Sequence, residues 1–413
     1  VQHSSTQPKI SLVVSDLSAS GVLRWGGAGV RPFLLAQALQ QLGYGVEVVG
    51  FQFGEPATLS SESGVTLQTV PGGEYPQFFQ SIRQLLGHIQ GDIIYAYKPK
   101  PTSLGVALLK KSMSNRPVIA DIDDWELSWH GGDRFEYRPS LKQLGRDILK
   151  PKGALRNPDH PLYLKWMEGF VSKADLVTTH TRFLQKRFGG TYIPNGKDIN
   201  LFNPDRYDTD TSRQRYGLSD YFILMFPGAP RPYKGLEDVL EALDRLNQPH
   251  LRLAIVGGSP YDDYDSQLIE RWGRWIIKLP SYPYQQMPEV VAAADVIVVP
   301  QRNEPAALAQ FPLKLTDGMA MAKPILATRV GDIPEILGDT GYLVEPNAPD
   351  QLMEKVQWIL QNWPEAQERG RQARERCVQL YSIQAMADGL SEVIAPMVAK
   401  IPITTLSDRL SNR

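Results

Sequence analysis

In the stretch AQFPLKLTDGMAMAKPILAT (309–328), Lys314 and Asp317 stand near the start of an otherwise amphipathic helix that leads into a buried strand. Three residues apart on a helix, they share one face, close to the end whose N–H groups point outward unpaired. A cation in that first turn opposes the helix dipole by about 0.3–1 kcal/mol. Either an intrahelical (i, i+3) pair offsets part of that cost, by a few tenths of a kcal/mol, or an anion arrives from outside the chain. A second stretch, FPGAPRPYKGLEDVLEAL, ends a strand at Phe226 and sets Arg231, Lys234 and Gly235 at the mouth of a well-patterned helix. This is a ready anion site, or else a solvated loop carrying two surface cations. It is not a Walker A loop, because GxxxxGK[ST] is absent. Two such stretches after strand ends in one half of the chain make a shared phosphate ligand the preferred explanation.

Two further constellations fall in the first half. In VLRWGGAGVRPFLLAQAL, Gly26, Gly27 and Gly29 lead into a helix, and glycine lets backbone approach a ligand closely. The pattern is not GxGxxG, so a bare turn stays open beside a binding loop. DIIYAYKPKPTSLG and PVIADIDDWELSWHGG carry Tyr97, Lys98 and Lys100, then Asp121, Asp123 and Asp124, just past strand ends. The carboxylates could orient hydroxyls or act as a base. Equally, Asp124 could cap a helix.

The elements that must position these residues alternate in type. ISLVVS, VEVVGF, DIIYAY, PVIADID, DLVTTH and TYIP read as strands, separated by helical patterns such as RPFLLAQALQQLG and TSLGVALLKKSMS. The rhythm restarts with YFILMF, LRLAIVGG, DVIVVP and PILAT, and a helical tail follows from about Pro349 to Lys400. Short β-branched runs between longer helices predict βαβ units and parallel sheets. The fold class is therefore α/β, with two tandem Rossmann-like domains whose ligand lies beyond the strand carboxyl ends, in the cleft between them. The polar run PNGKDINLFNPDRYDTDTSRQRYG reads as the interdomain connector. The boundaries expected are 1–200, with an insertion at about 123–162, then 201–390, then a tail at 391–413 that could return to the first domain.

Composition narrows the classes. The chain has 413 residues, 42% hydrophobic and 22% charged, with a formal charge of −1. That charge predicts no general attraction to nucleic acid or anionic membrane. Locally, Arg134–Arg187 carries twelve Lys or Arg against five Asp or Glu. Cys377 is the single cysteine, which suits a reducing cytoplasm. No apolar run approaches the roughly 18 residues of a membrane span. The six scattered histidines lack metal-ligand spacing, so no metal centre is expected.

Taken in order, WGGAGVRPFLLAQALQQLGYGVEVVG, YIPNGKDINLFNP, GAPRPYKGLEDVLEAL, MPEVVAAADVIVVPQ, FPLKLTDGMAMAKPILAT and VGDIPEILGDTGYLVEP resemble glycosyltransferase family 4. This is a GT-B group of retaining, nucleotide-sugar-dependent enzymes, and the similarity covers nearly the whole chain. The resemblance implies a UDP- or GDP-sugar as donor substrate, with no cofactor besides it. Lys234 matches the family lysine that holds the donor diphosphate, and Arg231 stands in for the usual arginine, whose place beside Gly228 is here Ala229. Asp317 matches the second acid of the family's Glu-x7-Glu motif, which bonds the ribose hydroxyls. The first acid should fall at 309, and it is Ala309. Glu304 could compensate if its loop folds inward. The variant Phe311-Pro312-Leu313-Lys314 would bring Lys314 to the phosphates. Asp123 takes the place of the family's histidine in the first domain.

The expectation is thus transfer of a hexose to a hydroxyl acceptor on a lipid, glycan or small molecule. Lys234, Arg231 and Lys314 would neutralise the departing diphosphate, and Gly26 and Gly27 would lie at the ligand. The alternatives are a phosphorylase or epimerase on the same plan, or, given Ala309 and Asp123, a silent nucleotide-sugar binder. The basic, Trp-containing region from Trp125 to Arg187 could rest on an anionic bilayer or be a solvated insertion. The expected location is cytoplasmic, with membrane association open.

Overall fold

The computed structural model describes residues 8–19, 30–56, 65–259 and 262–400. The chain divides into two compact units, one holding residues up to Pro194 and again from Met386, the other Asn195–Ala385. Each is built on one parallel sheet.

In the first unit, β1 (Lys9–Val14), β2 (Gly45–Gln52), β3 (Thr66–Pro71), β4 (Ile93–Tyr97), β5 (Val118–Ile122), β6 (Leu176–Thr179) and β7 (Thr191–Tyr192) lie in the order β3-β2-β1-β4-β5-β6-β7. In the second, β8 (Phe222–Pro227), β9 (Leu251–Val256), β10 (Ile276–Leu279), β11 (Val296–Val299), β12 (Ile325–Thr328) and β13 (Tyr342–Val344) follow the order β10-β9-β8-β11-β12-β13. Both are doubly wound arrangements, in which the order reverses between β1 and β4, and between β8 and β11. Ligands of such sheets bind outside the strand carboxyl ends at that reversal.

The apolar runs of the central strands follow from coverage on both faces. On β8, Ile223 and Met225 enter one core, whereas Leu224 and Phe226 enter the other. Successive side chains point to opposite faces, so a strand covered on both sides must be apolar throughout. The helix Leu313–Ala320 lies close on this sheet. A Cβ built on Gly318 would stand 2.6 Å from Ile325 Cδ1 and 2.8 Å from Ile297 Cγ1, so only glycine fits there.

The run read as a polar connector is instead part of the second unit's body. Phe202 is fully buried in its core, Lys197 is buried, and Thr209–Tyr216 is helical. The region after β5 forms the long crossover to β6. It contains the helices Leu141–Leu149 and Pro161–Phe170 between short 3-10 turns. Among the described residues no helix is long and apolar enough to cross a membrane.

Candidate active site

The loop after β8 must turn sharply before the helix Leu236–Leu246. Gly235 makes that turn at φ +67, and a Cβ there would lie 2.0 Å from the Pro300 carbonyl oxygen. The position therefore excludes any side chain, and it fixes the 3-10 turn Pro232–Lys234 against the loop after β11. The two loops are tied further by the Arg302 N–H, which donates to the Tyr233 carbonyl at 2.9 Å. The Arg302 guanidinium also pairs with Glu237 and Asp238 at 2.8 and 3.1 Å.

Lys314 reaches the same place from the helix after β11, one residue beyond its start at Leu313, with Pro312 as the preceding cap. Its Nζ sits 4.8 Å from the centre of the Phe226 ring, and its stem passes Gly228, where a Cβ would approach Cε to 3.3 Å. Lys234 and Lys314 are 6% and 8% exposed and hydrogen-bonded to each other. Neither ammonium is paired with a carboxylate among the described residues. Burial, then the charge of Lys314, then Arg231 push Lys234 well below the ordinary lysine value. Lys314 is also lowered by burial, against the opposing pull of its bond to Lys234 and of Asp317. Keeping both charged without a carboxylate beside them would be costly, and the Lys234 nitrogen accepts the hydrogen bond that Lys314 donates. Neither neighbouring helix start has a side-chain cap, which leaves N–H groups aimed at the same region. The arrangement is suited to a multiply charged anion.

Arg231 lies within electrostatic range of this pair but is itself engaged by Asp262 at 2.9 Å. Asp317 does not pair with Lys314. It forms an ion pair with Lys197, which is 3% exposed and stacked 4.4 Å from the Phe202 ring centre. The carboxylate expected to face a ribose is thus already held by a cation from the supposed connector. Glu304 is exposed and begins the short helix Pro305–Leu308 through its backbone, so its loop is not folded inward. Ala309, Phe311 and Pro312 are buried, and Leu313 is partly so. Gly26 and Gly27 lie outside the described residues.

In the first unit the charges are satisfied internally. Asp121 is bidentate to Arg31, at 2.7 and 2.8 Å, deep in β5, so it ties a helix to the sheet and is not a free base. Asp123 accepts a hydrogen bond from the Tyr97 hydroxyl and pairs with Lys98 at 2.9 Å. Burial alone would raise its pKa, but Lys98, His180 and Tyr97 outweigh burial and hold it below the usual carboxylate range. Lys98 also pairs with Glu126 at 2.7 Å, and Lys100 bridges Glu126 and Asp159. Asp124 accepts from the Trp125 N–H and the Trp129 indole, and burial raises it to about 7. His180, fully buried after β6, was not singled out by sequence, although its place at a strand end marks it as readily as Asp123. No group of three or more His, Cys, Asp or Glu among the described residues could hold a metal ion.

Known proteins match both halves. Residues 25–200 match the family model described as Glycosyltransferase Family 4, and residues 221–362 the model described as Glycosyl transferases group 1. The chain is 27% identical over 322 residues to a GDP-mannose-dependent alpha-(1-6)-phosphatidylinositol monomannoside mannosyltransferase of Mycolicibacterium smegmatis, covering 70% of this chain and 77% of that protein. It is 22% identical over 365 residues to an N-acetyl-alpha-D-glucosaminyl L-malate synthase of Bacillus anthracis, covering 85% and 88%. Among solved structures, Anabaena HepE in complex with UDP and glucose matches with a TM-score of 0.71 at 18% identity, over 94% of this chain and all of that one. At that identity the likeness speaks to the fold alone.

The Lys197–Asp317 pair yields a direct expectation. Lys197→Met leaves a largely buried carboxylate alone and should cost about 3–5 kcal/mol, whereas Lys197→Met with Asp317→Leu should recover most of that loss. Denaturant unfolding of the single and double variants measures both.

Proposed function

Because this chain belongs to the glycosyltransferases of family 4 and group 1, we propose that it moves a hexose from a UDP- or GDP-sugar to a hydroxyl acceptor with retention at the anomeric carbon. In this reading the second unit binds the donor and the first unit the acceptor. The observation that carries it is the buried pair Lys234 and Lys314, without a carboxylate partner among the described residues, at the β8/β11 reversal. A GDP-mannose-dependent relative and the UDP complex of a structural neighbour support a nucleotide-sugar donor, with the base left between the two.

The step to be accelerated is cleavage of the bond from C1 to the β-phosphate oxygen. Negative charge grows on the diphosphate as that bond lengthens. Lys234 and Lys314, with Arg231 at the rim and the uncapped helix N–H groups, would stabilise it more in the transition state than in the bound donor. The acceptor oxygen bonds to C1 from the face the leaving group vacates, and its proton passes to the departing phosphate. The backbone of Phe311, Pro312 and Leu313, which leads into the helix carrying Lys314, would line the donor's approach. Asp123, held ionised, suits a hydrogen-bond acceptor for a substrate hydroxyl. Asp317 would reach a ribose hydroxyl with the oxygen that Lys197 leaves free, and Glu304 would take part only after a movement of its loop.

One surface favours a lipid-borne acceptor. On the helix Leu141–Leu149, Leu141 and Leu149 are 90% and 78% exposed and Ile148 is half-exposed. Lys142, Arg146, Lys150 and Lys152 are exposed beside them in sequence. Apolar side chains in a basic frame fit the interface of an anionic bilayer.

Two outcomes follow. Lys234→Ala should lower donor turnover on the order of 100-fold or more, and turnover within a few-fold of wild type would reject the assignment. The wild-type protein should sediment with phosphatidylserine-containing vesicles at low salt and release at high salt. Leu141→Asp with Leu149→Asp should abolish sedimentation, and failure of the wild type to pellet removes the membrane reading.

A further inference from the structure

The residue after Ala309 carries an unused polar group into the same neighbourhood. Gln310 is 4% exposed, between Ala309 and Phe311, both essentially fully buried. Its Oε1 accepts a hydrogen bond from the Tyr233 hydroxyl at 3.3 Å, and its Nε2 has no partner. Tyr233 immediately precedes Lys234, whose Nζ lies 5.7 Å from the tyrosine ring centre. The free amide therefore belongs to the wall on which the two lysines stand. Exchanging the amide oxygen and nitrogen does not remove the anomaly. The Tyr233 hydroxyl could accept from Nε2, but Oε1 would then be the orphan. In either orientation a buried amide keeps one hydrogen-bonding atom unspent, and a native interior rarely leaves such an atom without a use.

We propose that Gln310 is the residue that reads the transferred hexose: its amide hydrogen-bonds a hydroxyl of the donor sugar. The proposal rests on the donor-binding reading of the second unit. Three features support it. Ala309 has no polar side-chain atom, so a sugar hydroxyl finds no carboxylate there. The Tyr233 bond and the flanking buried residues fix the amide, so little ordering is needed on binding. The amide is neutral, so it adds no negative charge beside a site that must take a diphosphate. Because a sugar hydroxyl both donates and accepts, it satisfies the amide in either orientation.

The test separates the sugar from the nucleotide. Calorimetry with UDP and GDP, and kinetics with UDP-glucose and GDP-mannose, are carried out on the wild type, Gln310→Met and Gln310→Leu. The methionine conserves volume, so it stays informative where leucine disturbs packing. The expected result is nucleoside diphosphate affinity within twofold of wild type, with kcat/KM for the sugar donor reduced about 10- to 100-fold. Among deoxy-sugar donors, one should lose as much with the wild type, and the Gln310 variants should no longer distinguish it from the parent sugar. Equal losses for diphosphate and sugar donor, or wild-type discrimination among deoxy donors, would overturn the assignment while leaving the donor site intact. Absence of UDP and GDP binding in the wild type would overturn both.

Discussion

Two buried lysine side chains, hydrogen-bonded to each other and with no carboxylate partner among the described residues, are the constraint around which the second unit is arranged. Removing a single ammonium from water costs several kcal/mol after relaxation, and a second charge beside it would add repulsion in a medium that screens poorly, which is why Lys234 is held well below the ordinary lysine value. The protein holds the pair because the loops carrying them are locked by backbone contacts and side-chain ion pairs that do not depend on the lysines. Gly235 is pressed against the Pro300 carbonyl, Tyr233 is bonded to Arg302, and Arg302 is clamped by Glu237 and Asp238. The electrostatic strain is thus preorganised, and under the proposed function an arriving diphosphate would relieve it.

The two units treat their charges differently, although their sheets share a winding. At the carboxyl ends of β4 and β5, Lys98, Lys100, Asp123, Glu126 and Asp159 form a closed network of opposite charges. At the ends of β8 and β11, two lysines meet with no carboxylate between them among the described residues. A closed network has little electrostatic need for a ligand, whereas an open one does. Under the proposed function, that asymmetry favours the second unit for the anionic substrate and leaves positioning and hydrogen bonding to the first unit's residues.

Much of this was legible in the sequence because parallel strands covered on both faces must be apolar throughout. The runs DIIYAY, YFILMF and DVIVVP announce themselves for that reason, and the strand-end lysines follow from them. What escaped notice lies at sheet edges or in long-range pairing. The edge strands β3, β10 and β13 have part-exposed residues or only three to six positions, so no continuous apolar run marks them. Asp317 was expected to be open to a ligand, yet Lys197, 120 residues away in chain order, occupies it. No local pattern in NGKD signals such a partner. Gln310 went unread because its significance lies in a missing partner, which only the packed structure reveals.

The most direct measurement is the proton balance of diphosphate binding. In the free protein the Lys234 pKa is depressed, so above that value the folded chain carries fewer protons than the unfolded one, and stability rises with pH up to the ordinary lysine range. A bound dianion favours the charged ammonium and raises the pKa again. Titrating UDP or GDP into the protein at pH 8, above the phosphate ionisation at about 6, in buffers of differing ionisation enthalpy, counts the protons exchanged. The account predicts net uptake, affinity that weakens as pH rises through this window, and loss of the uptake in Lys234→Met. Binding with no proton uptake and no pH dependence would show that Lys234 is already charged and compensated, and would contradict it.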